Sequence, residues 1–122
     1  MSHTVQVKST QMTDFDCIIR ATQRLNLARP TEGRHKMFDD QVIDGLSLQL
    51  PDWREPVVID RAGKVYYDNY RGEWGNQIEL DRLIQAYTLE RSASELTAMG
   101  YTSLTEVPLE NGDVKLEAVC YA

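Results

Sequence analysis

The sequence predicts an α+β fold. The expectation is a single domain over residues 1–122 in the order β-α-β-β-β-α-β-β, a mostly antiparallel sheet with two helices packed on one face. Three observations predict it. Residues 13–27 and 77–99 carry apolar side chains at helical spacing. The other apolar runs are short or alternate with polar residues, as strands do. Turn residues sit directly between several of those runs, and tight turns join antiparallel neighbours.

Val5 and Val7 alternate with polar residues and open the chain as a short strand. Thr13 reads as the N-cap of the first helix, with Asp14 and Asp16 where the helix dipole favours negative charge. Met12 and Cys17 stand in the positions of a hydrophobic staple, and Phe15, Ile18, Ile19, Thr22 and Leu25 form the inward stripe. Pro30 ends the helix, and Thr31–Lys36 is polar and reads as a turn.

Gln41–Leu50 reads as a strand with Leu46, Leu48 and Leu50 on one face, followed by a loop, Asp52–Glu55, bracketed by Pro51 and Pro56. Val57–Ile59 and Val65–Tyr67 form a hairpin through Asp60–Lys64, with Gly63 supplying a positive φ. Asn76 begins the second helix with Glu79 as its capping partner, Leu80, Leu83, Ile84 and Tyr87 form its stripe, and Gly100 terminates it. A further capping pattern at Ser92 and Glu95 predicts a kink near residues 90–92. Asn111-Gly112 reads as a two-residue type I′ turn. It pairs Leu109 with Val114 and Val107 with Leu116, sets Glu106 across from Glu117, and places Val107, Leu109, Val114, Leu116 and Ala118 on one buried face. Pro108 requires an open edge beside its strand.

A chain of 122 residues buries enough surface for one core without covalent staples. Cys17 and Cys120 stand far apart and outside any CxxC pair, so two buried free thiols in a reducing compartment are expected. The opening Met1–Lys8 has no basic and apolar signal pattern, and no apolar run approaches the roughly 20 residues that span a bilayer. A cytoplasmic protein without membrane association is expected.

The net charge is −6. Residues 1–61 carry eight Lys/Arg against nine Asp/Glu, and residues 62–122 carry five against ten, so the second half holds −5 of it. No basic stripe is available for a phosphate backbone, and nucleic acid is not expected as a partner.

Motifs for chemistry are equally sparse. His3 and His35 share no ligand spacing with the cysteines, and the acidic turn Asp39, Asp40 and Asp44 lacks the pattern of a calcium loop, so no metal site is expected. There is no nucleophile elbow and no family cysteine signature. Gly72-x-x-Gly75 precedes a helix but lacks the Lys and Ser/Thr of a phosphate-binding loop. No cofactor and no catalytic residue is assigned.

One feature stands apart. Tyr66, Tyr67, Tyr70 and Trp74 fall within nine residues, interleaved with Asp68, Asn69, Arg71 and Glu73, and Trp53-Arg54 lies in the loop before the same hairpin. Tyr, Trp and Arg are the residues enriched in binding hot spots. A hairpin returns its ends to neighbouring positions, so Trp53, Arg54, Tyr70, Arg71 and Trp74 are expected on one surface or cleft, with Trp53 and Tyr70 exposed.

The blocks Leu50–Val58 (LPDWREPVV), Tyr67–Gly75 (YDNYRGEWG), Leu83–Tyr87 and Leu109–Leu116, with the opening Met1-Ser2-His3, resemble the family catalogued as domain of unknown function 1257. Its plastid and cyanobacterial members are called hypothetical chloroplast frame 35, and similar proteins occur in other bacteria and phages. The resemblance covers nearly the whole chain apart from Leu27–Asp44. It implies a small accessory protein and no defined reaction, cofactor or site residue.

Taken together, the residues predict a non-catalytic accessory or adaptor protein that engages a protein partner through the Trp53, Arg54, Tyr70, Arg71 and Trp74 region. Self-association through an open strand edge and the aromatic surface is a further expectation. The alternative is a small-molecule binder, in which aromatics stack on a nucleotide-like ligand and Arg54 or Arg71 meets its charge.

Overall fold

The strand alternation and helical stripes organise as expected for an α+β fold. The computed structural model describes residues 5–7 and 11–119, so Met1-Ser2-His3, Cys120 and Tyr121 lie outside it. The elements are β1 (Val5–Val7), α1 (Phe15–Arg24), β2 (Thr31–Lys36), β3 (Val42–Leu48), β4 (Val57–Asp60), β5 (Val65–Tyr67), a short turn of helix at Tyr70–Gly72, α2 (Gln77–Ala98), β6 (Ser103–Pro108) and β7 (Val114–Val119). Every strand pairing is antiparallel. Two compact units result, residues 1–87 and 88–122, and α2 begins in the first and ends in the second.

In the first unit the five strands form one sheet in the order β1-β5-β4-β3-β2. The period of two along β3 and β4 sends Leu46, Leu48, Val57 and Ile59 to one face, where Val65 joins them. Cys17, Ile18 and Ala21 of α1 and Leu80, Leu83, Ala86 and Tyr87 of α2 pack into the same cluster, so both helices cover that face. Each fully buried aliphatic side chain there contributes about 1.5–3 kcal/mol. A second, smaller cluster, Met37, Ile43 and Val58 with Tyr66 against it, occupies the opposite face.

The caps explain the helix limits. Asp14, one residue later than the expected Thr13, is the N-cap of α1, and its carboxylate accepts from the Cys17 N–H at 3.1 Å. Met12 and Cys17 therefore do not stand at the expected staple positions, although both are fully buried. The Tyr87 hydroxyl accepts the Asp14 N–H at 3.2 Å, tying the start of α1 to α2. At the start of α2 the Asn76 side-chain oxygen accepts the Ile78 N–H at 3.0 Å. α2 runs as one unbroken helix from Gln77 to Ala98, through residues 90–92 where a kink is expected.

Thr31–Lys36 is a strand rather than a turn. The segment has no apolar residue to betray it, because β2 lies at the sheet edge and none of its side chains is buried. It pairs with β3 from Thr31↔Ser47 to Lys36↔Val42.

In the second unit α2 ends in a Schellman motif. The Tyr101 N–H donates to the Leu96 carbonyl and the Gly100 N–H to that of Thr97, each at 3.1 Å, with Gly100 at φ +99°. The hairpin β6–β7 forms a separate two-stranded sheet, which leaves the open edge that Pro108 needs. Its register differs by one residue from that expected. Pro108 pairs with Val114, Glu106 with Leu116 and Thr105 with Glu117. The loop has three residues, not two: the Leu109 N–H donates to the Asp113 carbonyl, the Gly112 N–H donates to the Leu109 carbonyl, and Gly112 takes φ +89°. This is a type I turn followed by a left-handed bulge residue. The expected buried face is not formed: Val107, Val114, Leu116 and Ala118 are half-buried and Leu109 is exposed.

Candidate functional site

The segment between β5 and α2 carries the candidate site, and its backbone is unusual from the first residue. Asp68 is buried and one of its carboxylate oxygens accepts the Tyr70 N–H at 3.1 Å, closing an Asx turn. Its other oxygen, Oδ2, has no hydrogen-bond partner among the described residues. Tyr70, Arg71 and Gly72 then follow in succession at φ +46°, +54° and +92°. Left-handed geometry is natural for Gly72 but unfavourable for Tyr70 and Arg71, by about 1–2 kcal/mol each. Local hydrogen bonds hold the turn closed: the Gly72 and Trp74 N–H groups both donate to the Asn69 carbonyl, at 3.0 and 2.9 Å. The Asn69 amide in turn donates to the Gln77 side chain at 3.3 Å, anchoring the turn to α2.

That strained turn presents Trp74 as the centre of a cluster. Tyr70 stacks on Trp74 with ring centroids 5.0 Å apart and planes 30° apart. The Arg54 guanidinium lies over the Trp74 ring, 4.3 Å from its centroid. The Arg54 N–H also donates to the Trp74 carbonyl at 2.7 Å, so backbone and side chain register the two segments together. Phe38 meets Trp74 edge-on at 4.9 Å and 71°. Trp74 and Tyr70 are half-exposed, Arg54 is exposed, and Phe38 keeps 49% of its surface in water.

The structure thus brings Arg54, Tyr70 and Trp74 into one surface, as the hairpin argument expects. Trp53 corrects it. That indole is 4% exposed and belongs to the main core, edge-on to Tyr67 at 5.8 Å, with its N–H donating to the Asn76 carbonyl at 3.0 Å. A position in a proline-bracketed loop says nothing about which way the side chain turns, and here a large apolar ring is driven inward. Arg71 is exposed on the same turn and takes no part in the ring and guanidinium contacts described above. Phe38 is the residue that sequence reasoning missed. It sits at the tip of the β2–β3 hairpin, where the Met37 N–H donates to the Gln41 carbonyl and Asp40 takes φ +69°. Its only sequence signal is an apolar ring beside two aspartates in a turn.

Among the described residues no group of three or more His, Cys, Asp or Glu side chains is placed to hold a metal ion. The acidic turn is neutralised instead, with Lys36 on Asp40 at 3.1 Å and Arg61 bridging Asp44 at 3.4 Å and Glu32 at 3.1 Å. Burial pushes the Cys17 thiol up in pKa, helped by Asp14, although Arg20 contacts the sulfur at 3.1 Å. The side chain is fully buried within the main core cluster. Burial also raises Tyr66, whose hydroxyl donates to Asp60 at 3.0 Å, and Tyr67, near Asp81. No described helix is long and apolar enough to cross a membrane. Compared with known proteins, the chain matches no family model, no curated protein and no solved structure.

Proposed function

We propose that this chain is a non-catalytic cytoplasmic accessory protein that binds a protein partner through the surface made by Trp74, Tyr70, Arg54 and the previously unsuspected Phe38. The observation that carries the reading is the half-exposed Trp74 ring, contacted by two other aromatic rings and a guanidinium on a left-handed turn. Large rigid rings in a pre-ordered backbone lose little freedom on binding, and strained turns of this kind gather at functional sites.

The test is a quantitative pulldown from the native host with wild-type protein and with Trp74→Ala and Phe38→Ala, each first checked by thermal melting. Truncating Trp74 weakens retention of the partner about 30-fold or more, the effect of a hot-spot residue, while the fold persists. A folded Trp74→Ala protein that retains every partner at wild-type strength removes this surface from consideration.

A further inference from the structure

Several cations among the described residues are held by carboxylates. Arg61 is held by Glu32 at 3.1 Å, Arg82 by Glu79 at 3.3 Å and Arg91 by Glu95 at 3.0 Å. Arg54 is different. Its backbone is fixed to Trp74 and its guanidinium is parked over the Trp74 indole, yet no carboxylate among the described residues meets it, although Asp52, Glu55 and Glu73 lie close in sequence. A guanidinium over a ring keeps N–H donors around its edge, in a fork that matches the two oxygens of a carboxylate. Stacking on the indole pre-orients that fork, so less freedom is lost when it closes on an acceptor.

From this geometry, and resting on the partner-binding reading above, we infer that the surface recognises a short apolar segment of the partner protein carrying a single carboxylate. Arg54 takes the carboxylate as a bidentate pair, and the exposed ring of Phe38 with the half-exposed Tyr70 receives the flanking apolar side chains. The net charge of −6 restricts the ligand further. An acidic tract is repelled by that charge and by the neighbouring Asp52, Glu55 and Glu73, whereas a single carboxylate meets the least repulsion and still gains the short-range pair with Arg54.

Three peptides test it: acetyl-Leu-Glu-Leu-amide, the isosteric Gln form and the Lys form, titrated into isotopically labelled full-length protein by NMR. The Glu peptide shifts the Trp74 indole N–H and the Arg54 Nε–H resonances and binds about tenfold more tightly than the Gln peptide. Arg54→Lys keeps the charge but loses the fork, and brings the Glu/Gln ratio to within about twofold. A triple-Glu peptide binds no more tightly than the single-Glu one. Equal affinity for Glu and Gln, preference for the Lys form, or no saturable shift up to about 10 mM peptide each overturns the inference. If Trp74→Ala abolishes peptide binding while Arg54 variants change nothing, the partner-binding surface stands and only the carboxylate assignment falls. Loss of the Glu preference in Arg54→Lys with unchanged shifts elsewhere supports both.

Discussion

Gly75 lies flat against the indole of Trp53: a Cβ placed on it would stand 2.4 Å from Trp53 Cδ2. No side chain fits in that space, so the residue after Trp74 must be glycine for Trp53 to occupy the core. The contact couples the buried tryptophan to the exposed one. Gly75→Ala forces the Trp53 ring or the turn to move, and overpacking of this kind costs about 1–3 kcal/mol. The expected outcome is a lower denaturant midpoint together with displaced Trp74 indole signals. An unchanged melt with unchanged indole resonances contradicts the packing described.

Trp53 itself separates packing from binding. Because its ring is buried and its N–H is bonded to the Asn76 carbonyl, Trp53→Ala leaves a large cavity and is expected to lose about 3–5 kcal/mol. Trp53→Phe refills most of the space and removes only the indole N–H, while the Asn76 carbonyl keeps the Glu79 N–H at 3.0 Å, and the loss falls to about 1–3 kcal/mol. Urea denaturation of the two variants checks the order. Equal and negligible losses place the side chain at the surface after all.

Legibility of this fold in its sequence follows from how local each signal is. Helices α1 and α2, the leucine face of β3 and the Gly63 turn were readable because period, caps and turn residues lie within a few positions of one another. Strand β2 was not, since Thr31–Lys36 lies at an edge and buries none of its side chains. The register of β6–β7 moved by one residue because Asn111-Gly112 suits a two-residue turn as well as the three-residue loop that forms. The aromatic surface was half legible. Arg54, Tyr70 and Trp74 meet because a hairpin brings its ends together, but Phe38 arrives from 36 residues away and Trp53 turns inward. Neither depends on local pattern.

Two glycines in similar turns carry opposite expectations. Gly63 and Gly112 each end a three-residue loop at φ near +90°, with the same pair of backbone hydrogen bonds. A Cβ at Gly112 meets nothing within 4 Å, so Gly112→Ala adds only left-handed strain, about 1–2 kcal/mol. At Gly63 the Cβ would stand 2.8 Å from the Met12 nitrogen and 2.9 Å from that of Thr13, and the Met12 N–H donates to the Gly63 carbonyl at 2.8 Å. Backbone atoms do not yield cheaply, so Gly63→Ala is expected to be at least about twice as destabilising. Chemical denaturation ranks them. Equal effects show that the approach to Met12 relaxes freely.

The alkaline limb of stability reports on Cys17. Its thiol is fully buried, and burial first, then Asp14, raises its pKa above the ordinary 9.0. A raised folded-state value means that the folded protein holds its proton longer than the unfolded chain. The associated stability is therefore fully present below pH 9 and is lost as pH rises from 9 through the folded-state value. Tyr66 and Tyr67, also raised by burial from the ordinary 10.0, extend the loss to higher pH. The melting temperature is expected to fall from pH 9 upward, and Cys17→Ala, though less stable at pH 7 because it leaves a void, should show a shallower decline at the start of that limb. In the native state near pH 8, where the protein holds its thiol as the protonated form behind a closed surface, a disulfide reagent should react slowly with Cys17 and rapidly only after denaturation. Fast labelling of folded protein at that position, or a decline that Cys17→Ala leaves unaltered, contradicts the buried, proton-retaining thiol.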